Sequence, residues 1–163
     1  MSSEISTDDV RPPADRDRRP DEFTSLAVVE RLIAAVMPSL LFTVLRLDDD
    51  GTLSRIHSSR PEDYPVGGRK STAADLTPQW HELCVQHQLP YVGNTAADVQ
   101  RAFSDHALIE RLGCGAFVNA PVVDDGSTIA TLCILAGPGS FGDDDVAAAQ
   151  LIARGSAYAV LTA

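Results

Sequence analysis

Cysteine, methionine and aromatic residues are scarce in this chain. Its 163 residues include three Cys, two Met and one Trp, and Phe, Trp and Tyr together make up 6%. Cys84, Cys114 and Cys133 form no C-x-x-C pair and no metal-ligand spacing, which excludes a zinc ribbon or a thioredoxin-type motif. An odd count in a chain without an apolar leader points to reduced thiols rather than a disulfide framework. No apolar run approaches the roughly 20 residues that a membrane-spanning helix needs. Positive charge is also short: 13 Lys and Arg stand against 23 Asp and Glu, for a net charge of −10. Nucleic-acid binding requires a basic footprint, and none is visible.

Residues 1–20 are polar, with four Arg, five acidic groups and no apolar segment. This is neither a signal peptide nor an amphipathic transit segment; it reads as a disordered leader, and a cytoplasmic protein is expected. The whole chain has 44% hydrophobic content and a mean hydropathy of −0.03, and residues 21–163 are long enough for one domain with its own core.

The strongest local signal lies in residues 114–141. Ala116, Val118, Ala120 and Val122 alternate, Asp125-Gly126 supplies a turn that tolerates positive φ, and an apolar strand returns from Thr128 to Ala136. A two-residue loop predicts that Val122 faces Ile129, Ala120 faces Thr131 and Val118 faces Cys133. Both faces are apolar, so this hairpin is expected at the centre of a sheet covered on two sides.

The rest reads in order. Residues 22–37 carry Leu26, Val29, Leu32, Ile33 and Val36 at helical spacing, stopped by Pro38. Residues 40–47 and 52–58 form a first hairpin around Asp48-Asp49-Asp50-Gly51. A loop with Pro61, Pro65 and two glycines leads to a helix over residues 76–88. Then come a short strand at Tyr91 to Gly93, one or two short helices over 96–112, the long hairpin, and a closing helix over 143–162. Hairpins interleaved with helices cannot build an all-parallel sheet. The expected fold is α+β: a central antiparallel sheet with the N- and C-terminal helices on one face and a helix-and-loop cover over a ligand pocket on the other.

Four features carry a family resemblance: the strand-turn-strand from Leu41 to His57; Tyr64-Pro65-Val66-Gly67-Gly68; Phe117-Val118-Asn119-Ala120-Pro121-Val122-Val123 with its turn and return strand; and Phe141-Gly142-Asp143-Asp144-Asp145. In that order and spacing the chain resembles the GAF domain family, small-molecule sensing modules related in shape to PAS domains. The resemblance implies a free-standing GAF-like domain that binds a small molecule of modest size, as a sensor or accessory protein, with no cofactor. The alternative it leaves open is an enzyme on the same fold acting on a small metabolite, thiol-dependent in one version. Among such enzymes are the free methionine-R-sulfoxide reductases. Here Ser71 stands where they place a cysteine, and Phe117, Cys133 and Leu135 stand where substrate-holding carboxylates are expected, so that activity is disfavoured. The signatures of bilin attachment and of cyclic-nucleotide binding are absent.

The candidate ligand-binding residues are Tyr64, Arg69, Trp80, Tyr91, Asn94, Thr131 and Cys133. The two cations at Arg69-Lys70 suit a carboxylate or phosphate; Trp80 on the cover helix and the two tyrosines suit an aromatic wall; the resemblance puts ligands on the Cys133 side, with a floor of Val118, Ala120, Thr131 and Cys133, opposite Asn119. Cys114, His106 and Lys70 are the catalytic candidates. His81, Cys84 and His87 spread over about 120° of one helix and do not converge, so no metal site is expected. A homodimer through the terminal helices is expected, using Val146, Ile152, Ala153, Ala157 and Val160.

Overall fold

The computed structural model describes Arg19 and residues 21–163; the leader expected over residues 1–20 otherwise lies outside the described residues. The elements in chain order are α1 (Leu26–Val36), β1 (Leu41–Leu47), β2 (Thr52–Ser58), β3 (Arg69–Ser71), α2 (Pro78–Trp80) running into a π-helical segment (His81–Gln86), β4 (Tyr91–Gly93), α3 (Ala96–Ala102), α4 (His106–Arg111), β5 (Ala116–Asp124), β6 (Ser127–Ala136), α5 (Asp143–Arg154) and α6 (Ala157–Leu161). The six strands form one antiparallel sheet in the order β3-β2-β1-β6-β5-β4.

Two apolar clusters sandwich the sheet. On one face, Leu26, Val29 and Ile33 of α1 and Ala149, Ile152 and Ala153 of α5 pack on Phe42, Val44, Val118, Ala120, Leu132 and Ile134. On the other, Trp80, Cys84, Val99, Phe103 and Ile109 from the cover pack on Leu41, Leu45, Leu53, Phe117, Cys133 and Leu135. The expected layering is therefore present.

Three helix boundaries differ from expectation. α1 starts at Leu26 because Ser25, itself extended, caps it, accepting from the Val28 N–H, while the Phe23 N–H donates to the Gly155 carbonyl and ties the preceding turn to the end of the closing helix. The cover helix starts at Pro78, not at residue 76: Thr77 is extended ahead of the proline, and Leu76 bridges to Phe103 instead. The closing helix breaks at Gly155 into α5 and α6, and the Ser156 hydroxyl donates to the Ile152 carbonyl at the junction.

The long hairpin turns at Asp125-Gly126 with φ of +47° and +74°, as its sequence implies. Its register does not follow. Asp124 pairs with Ser127 and Val123 with Thr128, but Val122 then pairs with Ala130, leaving Ile129 as an extra residue. This is a β-bulge, and beyond it every pair shifts by one: Ala120 faces Leu132, and Asn119 faces Cys133. A second bulge in the first hairpin leaves Ile56 unpaired between Arg55, opposite Leu45, and His57, opposite Val44.

Candidate functional site

Strand β2 sends Leu53 and Arg55 toward the cover. Arg55 is buried, at 7% exposure. The Pro-Val-Gly-Gly loop wraps it: the Gly67 N–H donates to the Arg55 carbonyl and the Arg55 N–H donates to Gly68, both at 2.8 Å. The Arg55 guanidinium donates to the Pro65 carbonyl at 3.1 Å and lies 4.7 Å over the Tyr64 ring. A Cβ on residue 68 would stand 2.3 Å from the guanidinium, so a side chain there would push Arg55 from this position.

Lys70 of β3 reaches in beside it. Its Nζ donates to Asp105 at 2.8 Å and lies 5.3 Å from the Phe103 ring centroid. The Tyr64 hydroxyl donates to the other Asp105 oxygen at 3.0 Å. Asp105 therefore joins the loop before β3, β3 itself and the start of α4. Arg55, Tyr64, Lys70 and Phe103 border a cavity of about 30 Å³, lined also by Leu41, Thr43, Leu45, Ile109, Cys133 and Leu135. A volume of this size admits about two water molecules.

Burial governs the ionisation of the surrounding groups. It pulls the Arg55 pKa down, against the pull of Cys133, Tyr64 and Asp105. Burial, then the Asp105 charge, pushes the Tyr64 phenol far above its ordinary range, which keeps it a donor. Burial also raises the Cys133 thiol, opposed by the Thr131 hydroxyl and by the Lys70 and Arg55 charges.

The candidate residues scatter around this centre. Tyr64, Lys70 and Cys133 line the cavity, and Thr131 is buried beside Cys133, Oγ1 to Sγ 3.5 Å. Arg69 points the other way along β3, its side chain 60% exposed and 3.7 Å from Asp48. Trp80 is fully buried in the cover-side core and does not border the cavity. Tyr91 packs edge-on against Phe117, accepts a 3.4 Å hydrogen bond from the Thr77 hydroxyl, and lines a separate polar cleft of about 440 Å³ with Gln79, Asp98 and Arg101. The Asn94 amide is spent on Phe141, donating to its carbonyl at 2.7 Å and accepting from its N–H at 3.1 Å.

The Ile129 bulge also corrects the floor. Val118 and Ala120 belong to the terminal-helix core, while Asn119 shares the cover-side face with Cys133 rather than opposing it. The Asn119 Oδ1 is buried without a partner, while the Asn119 backbone carbonyl accepts from the Cys84 thiol at 3.8 Å.

The catalytic candidates are not brought together. His106 sits at the start of α4, 3.8 Å from Glu110. Cys114 is buried, and burial raises its pKa. Cys84 is pushed up to about 12 by burial. A thiol nucleophile needs its thiolate, which all three sites oppose. Among the described residues no group of three or more His, Cys, Asp or Glu is placed to hold a metal ion; His81 and His87 are exposed while Cys84 is buried.

Sequence reasoning missed Arg55. Its signal is the alternation of β2, where Leu53 and Arg55 share a face: an arginine two residues from a core leucine in a short strand is an inward-pointing charge.

The family model of the GAF domain matches residues 24–160. No curated protein sequence matches the chain. Among solved structures, the chain is similar to a GAF domain/HD domain protein from Geobacter sulfurreducens, at 10% identity and a TM-score of 0.65 over 82% of this chain and 88% of that one. It is similar to the GAF domain of a two-component sensor histidine kinase from Bacillus halodurans, at 14% identity and a TM-score of 0.64 over 84% and 91%. The GAF domain of a phosphoenolpyruvate-protein phosphotransferase from Coxiella burnetii follows at 18% identity and a TM-score of 0.61 over 89% and 80%.

Proposed function

The chain belongs to the GAF domain family of small-molecule-binding sensory domains, and from that premise we propose that it binds a small molecule in the cavity between β1, β2, β6 and the cover, as a sensor or accessory protein. The observation that carries this reading is the convergence of Arg55, Tyr64, Lys70 and Cys133, with Thr43, on a largely apolar cavity. A few polar groups aimed into an apolar enclosure are the usual make-up of a small-molecule site. At about 30 Å³ the cavity is small, so ligand entry widens it. The cover, held to β3 through Asp105, is the part that moves.

A cytoplasmic setting and a homodimer through the terminal helices complete the proposal. Among the described residues no helix is long and apolar enough to cross a membrane. Ile152, Ala153, Ala157 and Val160 are buried in the protomer's own core, whereas Val36, Leu151 and Leu161 are exposed; these three are the contacts proposed for the dimer, checked by sedimentation at high concentration. A small-molecule partner is favoured over nucleic acid because the net charge is −10.

The test is native mass spectrometry of the purified protein combined with a thermal-shift screen of metabolites. At least one compound is expected to raise Tm by several degrees, and Cys133→Phe, which fills the cavity, to abolish that rise. No adduct and a flat screen would remove the reading.

A further inference from the structure

We propose that the group anchoring the ligand is a carboxylate, held between Arg55 and Lys70; this rests on the cavity being the small-molecule site. The charges around the cavity do not balance. Asp105 is engaged by Lys70 at 2.8 Å and by the Tyr64 hydroxyl at 3.0 Å. Arg55 has no ion-pair partner among the described residues: its polar contacts are the Pro65 carbonyl and the face of the Tyr64 ring. Its Nε is buried with no hydrogen-bond partner at all. A guanidinium cannot escape by losing its proton. The site therefore keeps one surplus positive charge in a poorly solvated place, and a bound anion relieves it.

Shape narrows the anion. A guanidinium edge presents parallel N–H donors in one plane, the match for a carboxylate. Apart from Thr43 and Cys133 the rest of the lining is apolar, with Leu41, Leu45, Ile109 and Leu135 facing the same space. That suits a short hydrocarbon body behind a planar anionic head, and gives a tetrahedral oxyanion few donors for its remaining oxygens. Gly68 preserves the arrangement, because any Cβ there would displace the guanidinium. An arginine retained only to pin the loop would need its bond to Pro65 and nothing more; the orphaned Nε is what that role leaves without explanation.

Asp105 occupies Lys70 in the ligand-free arrangement and acts as an internal competitor. A ligand carboxylate that recruits Lys70 takes its place, freeing the start of α4 from β3.

The experiment measures binding of sodium acetate, propionate, butyrate and benzoate by calorimetry and thermal shift at constant ionic strength. Controls are the corresponding amides, butylamine and inorganic phosphate. At least one carboxylate is expected to bind, with its amide, the amine and phosphate at least tenfold weaker. Arg55→Met should weaken the carboxylate at least tenfold, and Asp105→Asn should strengthen it. If Arg55→Met does not fold, Gly68→Ala and Lys70→Met are expected to weaken binding in its place. Amide, amine or phosphate binding as tightly as the carboxylates, or variants that leave carboxylate affinity unchanged, would overturn the proposal. In the first of these cases, binding blocked by Cys133→Phe leaves the small-molecule reading intact while removing the carboxylate. Failure of every probe together with a flat metabolite screen removes both.

Discussion

Lys70 and Asp105 meet at 2.8 Å across 35 residues of sequence, joining the edge strand β3 to the cover. The pair is mostly sheltered, with side chains 13% and 28% exposed. Tyr64 donates to the same carboxylate, so removing Asp105 strands two donors at once. Asp105→Ala is expected to cost about 1–3 kcal/mol in urea unfolding. Asp105→Asn should cost less, since its amide oxygen still accepts from Tyr64. Equal stability of Asp105→Ala and the parent chain would show that the cover is held by packing alone.

Acid should loosen the same side of the molecule. The Asn94 and Thr95 N–H groups donate to Asp98 at 3.0 and 3.1 Å, and the first of these leads in holding its carboxyl below the usual carboxylate range. Asp75 is lowered likewise by the Ser71 N–H and the Ser104 hydroxyl. With the folded values below the unfolded ones, the stabilisation is complete above about pH 4 and is lost as pH falls through the lowered values. Asp98→Asn is expected to flatten part of the stability loss as pH falls below about 4. An unchanged acid slope would contradict the assignment.

Gly93 is a packing requirement. A Cβ there would stand 2.5 Å from the Phe117 ring and 2.6 Å from the Asp98 Cβ. Gly93→Ala is expected to lower stability by about 1–3 kcal/mol through overpacking. Gly137→Ala, with its nearest neighbours at 3.8 and 4.0 Å, serves as the control, and matching Tm values for the two variants would refute the clash.

All three thiols should be silent in the folded protein. They are buried and unpaired, and burial raises each pKa, that of Cys84 up to about 12. A disulfide reagent at pH 8 is expected to label none of them quickly in buffer and all three in guanidinium. Fast labelling of one thiol in the native state would reveal a route into the core, and at Cys133 a route into the cavity.

Much of the architecture was legible in the chain. The turn at Asp125-Gly126, the boundaries of β2 and β4 and the C-terminal glycine of α4 follow from local preferences, because only a few residue types tolerate positive φ and apolar alternation has a fixed period. Gly113 does take φ of +84°. Of the site, Tyr64, Lys70 and Cys133 were singled out from aromatic, basic and family position. Trp80 and Tyr91 were grouped with them because an aromatic at a cover position reads alike whether it borders a cavity or fills a core.

What the chain determined by itself is the order of the hairpins and helices and the two-faced sheet they must form. The tertiary structure decided which side chains meet. Two bulges, at Ile56 and Ile129, each insert one residue into a ladder and exchange the faces of everything beyond. The first separates Arg55, turned to the cavity, from His57, turned to Glu30 on α1. The second puts Cys133 beside Asn119 rather than Val118. In the long hairpin alternation cannot reveal such an insertion, because β5 and β6 are buried on both faces and carry no polar stripe to mark their register. It is settled by packing against α1, α5 and the cover.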